Sequence, residues 1–272
     1  MKALSDFRSS APIRVLFTDI DDTLTDDGRL HAPAYEALWR LSEHGIRVVP
    51  VTGRPAGWCE LIARQWPVAG VVGENGGLYF HHARRQMHRR FMEESPAARA
   101  LNAAKLLEIA DVVLREVPGS AVASDQFCRL LDLAIDFNED VTPLPEADVD
   151  RIVAIFERHG AVAKVSSIHV NGWFGGYDKL GMCKLFARDE LGLDLDVAAD
   201  RAACAFSGDS PNDEPMFAFF GNSFGVGNVA AFAGRMRSLP RFVATADGGA
   251  GFVEIAEALL RERLVDTAKT PR

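Results

Sequence analysis

The stretch Val15-Leu16-Phe17-Thr18-Asp19-Ile20-Asp21-Asp22-Thr23 decides how the rest of this chain is read. Its first residues are apolar and β-prone, which predicts a short buried strand, and the strand runs out into Asp19, Asp21 and Asp22 with the Thr23 hydroxyl behind them. Burying that much like charge without a partner costs on the order of several kcal/mol per ion, so the cluster belongs in a cleft, around a cation. Asp19 and Asp21, two apart on extended backbone, project in the same direction, and ligands of open α/β sheets gather outside the carboxyl ends of the strands. Taken alone, the same residues would also make an acidic turn with no further role.

Outward from that strand the pattern repeats. Residues 31–44 carry Tyr35, Leu38 and Leu41 at helical spacing, with Gly45 placed to cap them. Residues 46–51 predict a second buried strand ending in Thr52-Gly53-Arg54-Pro55, residues 56–66 a helix, and residues 68–72 a third strand ending in Gly73-Glu74-Asn75-Gly76-Gly77. Alternation of this kind argues for parallel pairing with right-handed crossovers. The pattern returns after Trp173: Tyr177-Asp178-Lys179 precedes a helix running to about Leu191, followed by a strand over 202–206 ending in Ser207-Gly208-Asp209-Ser210-Pro211-Asn212-Asp213, a helix over 214–220, short strands at 224–226 and 242–244, and a closing helix over 251–264. Residues 1–12 are polar and read as a loose lead-in.

The middle third differs. Residues 78–80 and 86–91 bracket a basic turn and read as a hairpin, followed by a helix over 96–117. Residues 130–137 alternate apolar and polar side chains, the mark of a half-exposed antiparallel strand, as do residues 161–170, with a helix over 145–159 between them. The expected fold is therefore α/β, a doubly wound, mainly parallel core of residues 1–81 and 173–272, with residues 82–172 inserted as an α+β unit.

Composition narrows the function. The chain has 272 residues, 48% of them hydrophobic and 25% charged, with a formal charge of -8. That balance gives no pull toward nucleic acid or an anionic membrane. No apolar run reaches the ~20 residues of a membrane span, and residues 1–11 lack the apolar stretch of a signal peptide, so a cytoplasmic location is expected. Cys59, Cys128, Cys183 and Cys204 form no Cys-x-x-Cys pair and read as reduced, packed thiols. His81, His82 and His88 sit among arginines on the hairpin, where a solvated turn is favoured over a metal site.

Three strand ends supply one kind of chemistry: Asp19 and Asp21 from the first, the Thr52 hydroxyl and Gly53 amide from the second, Asp209 and Asp213 from the last. Hard oxygen ligands with no His or Cys suit Mg²⁺, which takes one or two carboxylates plus water and phosphate oxygens. Lys179 offers a compact positive charge for a phosphate oxygen. The bland alternatives are an Asx turn over 209–213 and a solvated surface lysine. Taken together the groups describe phosphoryl transfer.

In this order the motifs resemble the haloacid dehalogenase superfamily of phosphohydrolases, in the class IIB, Cof-like type that carries an α+β cap between the second and third motifs. The first motif is Asp19-Ile20-Asp21-Asp22-Thr23, the second Val51-Thr52-Gly53-Arg54, the third Asp178-Lys179 and the fourth Gly208-Asp209-Ser210-Pro211-Asn212-Asp213, with Glu74-Asn75-Gly76 as a further match. Leu180 stands where many relatives have Gly, which leaves Lys184 as a competing third-motif lysine. The resemblance implies Asp19 as a nucleophile that forms an aspartyl-phosphate, and Asp21 as the acid/base for the leaving alkoxide and then for water. It implies Mg²⁺ held by Asp19, the Asp21 carbonyl and Asp209, with Asp213 orienting or joining the ligands, and phosphate held by Thr52, Gly53, Lys179 and Asn212. Arg54, Asn75, Arg129, His169 and Asn171 are the candidates for gripping the rest of the substrate. The implied substrate is a small phosphorylated metabolite such as a sugar phosphate. A phosphomutase and a non-catalytic metabolite-binding module are the alternatives. No nucleic-acid or membrane partner is expected, and oligomeric state is not legible.

Overall fold

The computed structural model describes residues 1–269. Val15–Thr18 lies inside a six-stranded parallel sheet, between Arg47–Pro50 on one side and Cys204–Gly208 on the other, with Ser223–Gly225, Phe242–Val243 and Lys2–Ala3 completing the order outward. The three central strands, Val15–Thr18, Cys204–Gly208 and Ser223–Gly225, are buried on both faces, as an apolar run demands, while Lys2–Ala3 at one edge is exposed. Along Val15–Thr18 the side chains divide between two apolar layers. Leu16 packs with Leu38, Leu41 and Ile255 under the helices Ala32–Glu43 and Gly248–Lys269, while Val15 and Phe17 pack with Phe186, Phe206 and Phe220 under Lys179–Phe186 and Glu214–Phe219. This two-sided wrapping puts all the strand ends, and so all the acidic motifs, on one edge of the sheet.

The lead-in is not loose. Lys2–Ala3 pairs in parallel with Phe242–Val243, and Phe7 is fully buried edge-on against Phe224 and Phe242. A single aromatic among polar neighbours carried too little periodicity to announce this.

Val71–Gly73 joins the parallel system only through a bridge from Val72 to Val51, then pairs antiparallel with Leu78–Ala83, which pairs with Gln86–Phe91. The hairpin is as expected, and its partner strand shows that this small sheet stays with the helix Ala56–Gln65.

A third apolar core underlies a four-stranded antiparallel sheet in the order Ala121–Val122, Asp132–Asp136, His169–Trp173, Val162–Val165, backed by the helices Pro96–Glu116 and Glu146–Arg158. Two expectations are corrected here. The single strand over 161–170 is a hairpin, turned at Ser166, Ser167 and Ile168. The strand expected to be half-exposed, Asp132–Asp136, is wholly buried. Its alternation is real: Leu133 and Ile135 face the helices. Its polar face, joined in register by His169 opposite Asp136 and Asn171 opposite Ala134, is covered because it lies over the acidic edge of the parallel sheet.

Candidate active site

Asp19 follows the last residue of its strand, and its amide donates to the Ser207 carbonyl of the neighbouring strand, which fixes the backbone at the sheet edge. Lys179 is the first residue of its helix, whose N-cap Asp178 accepts from the Gly181 amide at 2.7 Å. Gly76 makes this placement possible: its φ is +95°, and a Cβ there would stand 2.0 Å from the Asp178 carbonyl oxygen. Lys179 Nζ then reaches Asp19 Oδ1 at 2.8 Å and Asp213 Oδ1 at 2.9 Å, with all three side chains buried. Lys184, the competing lysine, pairs with Asp196 at 2.6 Å on the surface and is excluded from the site.

The fourth motif closes the cluster. Asp213 Oδ2 accepts from the Asp209 amide at 3.1 Å, over a bare Gly208 where a Cβ would collide with that carboxylate at 2.3 Å. Asp209 accepts from Thr23 Oγ1 at 3.2 Å and from Asn228 Nδ2 at 3.3 Å. Asp19, Asp209 and Asp213 thereby each bring a carboxylate oxygen within 4.8 Å of the others, and no second metal-ligating group of this kind occurs among the described residues. On the hairpin, His81 faces the Ala69 carbonyl and Glu190.

One buried ammonium does not balance three buried carboxylates. Burial pushes Asp19 up to about 8, against the pull of Lys179 and with repulsion from Asp213 and Asp21. Asp209 is driven well above the ordinary carboxylate range by burial and by Asp19 and Asp213. Burial works against the charge of Lys179, yet Asp19 and Asp213 outweigh it and hold its pKa above normal. A set of oxygen donors with surplus negative charge fits a hard divalent cation such as Mg²⁺.

Asp19, Asp21, Gly53, Arg54, Arg129, His169, Asn171 and Asn212 border one narrow cavity, bringing together residues that the sequence left scattered over three motifs and the antiparallel unit. Thr52 lies just behind Gly53, its hydroxyl accepting from the Arg54 amide at 2.9 Å. Asn75 is packed beneath Gly53 with its amide 3.5 Å from Asp132. Asp21 is gripped by Arg54 through Nε at 2.9 Å and 3.1 Å and through Nη2 at 2.8 Å.

Three carboxylates missed in the sequence, Glu139, Asp125 and Asp132, and Glu74 of the further motif match complete the surroundings. Glu139, in the turn after Asp132–Asp136, contacts Arg54 and His169, each at 2.9 Å, and the His169 contact with the Arg54 charge holds its carboxyl near 2 against burial. Asp125 and Asp132 clamp the buried Arg129, whose Nη1 also donates to the Gly53 carbonyl at 2.9 Å. Glu74 accepts from the Ala56 amide and from the amides of Leu130, Leu131 and Asp132, joining the two halves of the molecule. Burial and Asp132 push it up to about 7 against those donors. Glu74 and Asn75 both hold positive φ, 45° and 55°, a strained pair of the kind found where surrounding structure dictates the backbone. The polar turn Asn138-Glu139-Asp140 after an alternating strand was a usable signal; the bonds of Glu74 to distant amides left none.

A family model described as haloacid dehalogenase-like hydrolase matches residues 16–127. A phosphoglycolate phosphatase of Pyrobaculum neutrophilum is 30% identical over 253 residues, covering 91% of this chain and 96% of that one. The chain belongs to the haloacid dehalogenase-like hydrolases. A second phosphoglycolate phosphatase, from Methanospirillum hungatei, is 42% identical over 72 residues, 25% of this hydrolase and 30% of the relative's own length. Among solved structures, the fold of this hydrolase matches that of the Thermoplasma acidophilum 0175 protein with a TM-score of 0.71 at 19% identity, over 92% of this chain and 99% of that one. It also matches the sucrose-phosphatase of Synechocystis with a TM-score of 0.61 at 13% identity, over 93% and 98%. Among the described residues no helix is long and apolar enough to cross a membrane.

Proposed function

We propose that this hydrolase is a Mg²⁺-dependent phosphatase that cleaves a small phosphorylated metabolite of the sugar-phosphate class through an aspartyl-phosphate on Asp19. The observation that carries this reading is the buried cluster of Asp19, Asp209 and Asp213 with Lys179 bonded to two of them, at the mouth of a cavity that also holds Asp21. Asp19 attacks phosphorus, forming the acyl-phosphate bond as the ester bond breaks. Asp21 gives its proton to the leaving alkoxide and then takes one from the water that releases phosphate. Arg54 aims Asp21 by its two-pronged contact and fixes it beside the cavity. Lys179, the Gly53 amide and Asn212 hold the transferring oxygens, with Thr52 setting the loop geometry behind them. Asp19, Asp209 and Asp213 would hold Mg²⁺, the Asp21 carbonyl with them, and the ion supplies the positive charge that offsets repulsion between an anionic nucleophile and an anionic phosphate.

In this reading residues 1–81 and 173–272 form the catalytic core and residues 82–172 the cap that covers it, its polar sheet face bringing His169 and Asn171 to the substrate cavity, with Arg129 of the preceding turn beside them. The hairpin astride that boundary packs on the helix Ala56–Gln65, so the working cap begins after it. The names of the similar proteins, phosphoglycolate phosphatase and sucrose-phosphatase, support a small phosphate monoester. Hydrolysis is favoured over a mutase reaction because the space beyond Asp21 is bordered by Asp21, Asp22, Asp27 and Glu139 against Arg54, which opposes a second phosphate. The test is phosphate release from p-nitrophenyl phosphate and a panel of sugar phosphates, with Mg²⁺ and with chelator, for wild type and Asp19→Asn. Metal-dependent release that vanishes in the variant supports the reading; release that persists in Asp19→Asn overturns it.

A further inference from the structure

In the phosphatase reading the leaving group takes its proton from Asp21 and so departs on that side of Asp19, where Asp21 borders a cavity of about 310 Å³. Asp21, Asp22 and Asp27 border it from the parallel-sheet side and Glu139 from the turn of the antiparallel unit, with Arg54 as the cation between them. That arginine is already committed. Its Nη2 lies 2.8 Å from Asp21 and 2.9 Å from Glu139, its Nη1 faces Asp125 at 3.8 Å, and its carbon rests 4.5 Å above the Trp58 ring. Arg129, the other guanidinium near the substrate, is equally engaged by Asp125, Asp132 and the Gly53 carbonyl. A carboxylate carried in on the leaving group would therefore meet four anions and no unengaged guanidinium. A hydroxyl or an ammonium would meet acceptors.

From this arrangement, and resting on the phosphatase reading above, we infer that Glu139 selects the leaving group, admitting neutral hydroxyl-bearing or ammonium-bearing ones and turning away those that carry a carboxylate. Glu139 is suited to this role because, of the four carboxylates that border the cavity, it is the one that enters from the unit opposite Asp21, held there by contacts to Arg54 and His169. Asp22 and Asp27 add to the same field from the other wall. The preference runs against the substrate named for the phosphoglycolate phosphatases that this chain is similar to.

The experiment compares kcat/KM of wild type and Glu139→Gln on glycerol phosphate, glucosamine 6-phosphate, phosphoglycolate and 3-phosphoglycerate, with p-nitrophenyl phosphate as a reference ester. One like charge facing Glu139 across the cavity makes the two carboxylate esters poorer than the other two by on the order of tenfold or more in wild type. In Glu139→Gln that ratio shrinks several-fold, through a gain on the carboxylate esters, and Asp27→Asn at the exposed rim shifts it the same way by less. A wild type that prefers phosphoglycolate overturns the inference without needing a variant, and so does an unchanged ratio in folded Glu139→Gln. Hydrolysis of the aryl ester, lost in Asp19→Asn, keeps the phosphatase reading intact in either case; a chain that releases phosphate from none of the five esters overturns both.

Discussion

Replacing Glu74 by Gln tests whether the two halves of the molecule are held together by one buried carboxylate. Its Oε1 accepts from the Ala56 and Leu130 amides, both at 2.9 Å, and its Oε2 from Leu131 at 2.6 Å and Asp132 at 3.2 Å. An amide side chain turns one of these oxygens into a donor. In either orientation at least one backbone N–H loses its acceptor and another faces a like group. A buried donor left unsatisfied costs about 1–3 kcal/mol, so the substitution destabilises by roughly 3 kcal/mol in all. For a chain of this size that lowers the melting temperature by about 6 °C. Thermal unfolding followed by circular dichroism, with and without Mg²⁺, reads the shift directly. A Glu74→Gln protein that melts within about 1 °C of wild type refutes the reasoning, since the donors would then have found other partners.

Other substitutions probe the charges. Lys179→Ala leaves Asp19 and Asp213 buried without their cation and is expected to cost about 3–5 kcal/mol of stability along with all turnover, read by denaturant titration and phosphate release. Asp19→Asn removes one of three crowded carboxylates, so in the absence of metal its melting temperature should equal or exceed that of wild type while turnover falls by a factor of at least about a thousand. Glu139 has a carboxyl depressed to about 2 in the fold, so the folded state binds its proton less readily than the unfolded chain does. Its contribution, discounted for partial exposure to ~2 kcal/mol, is present above pH ~4.5 and lost as pH falls toward ~2. Comparing acid unfolding of wild type and Glu139→Gln checks this: the gap between them should close over that window.

The parts legible in the sequence were those whose signal is local. A strand that ends in carboxylates is visible in Val15 to Asp21 without any partner, because burial of the apolar part and exposure of the acidic part follow from the same few residues. The parallel core was legible for the same reason, strand by strand. What failed depended on neighbours far along the chain. The polar face of Asp132–Asp136 alternates as an exposed strand does, and only the sheet edge beneath it makes that face interior. The role of Arg54 as a clamp on Asp21 needed Glu139, more than eighty positions away, to be placed beside it. The Thr52 hydroxyl accepts from the Arg54 amide, a brace of the loop on which Gly53 and Arg54 sit that leaves its own proton to donate.

The order of the parallel sheet also says something about how the molecule comes to exist. Lys2–Ala3 has its hydrogen-bonding partner at Phe242–Val243, and Val15–Thr18 has one of its two at Cys204–Gly208. During synthesis Val15–Thr18 can pair early with Arg47–Pro50, but its other edge, and Lys2–Ala3 altogether, have no strand to pair with until most of the polypeptide has left the ribosome. Meanwhile the antiparallel unit, whose strands and helices all lie between Pro96 and Trp173, can assemble from near neighbours and bury its own core. The half that carries the nucleophile is therefore the last to be completed, beside a piece that can already be built.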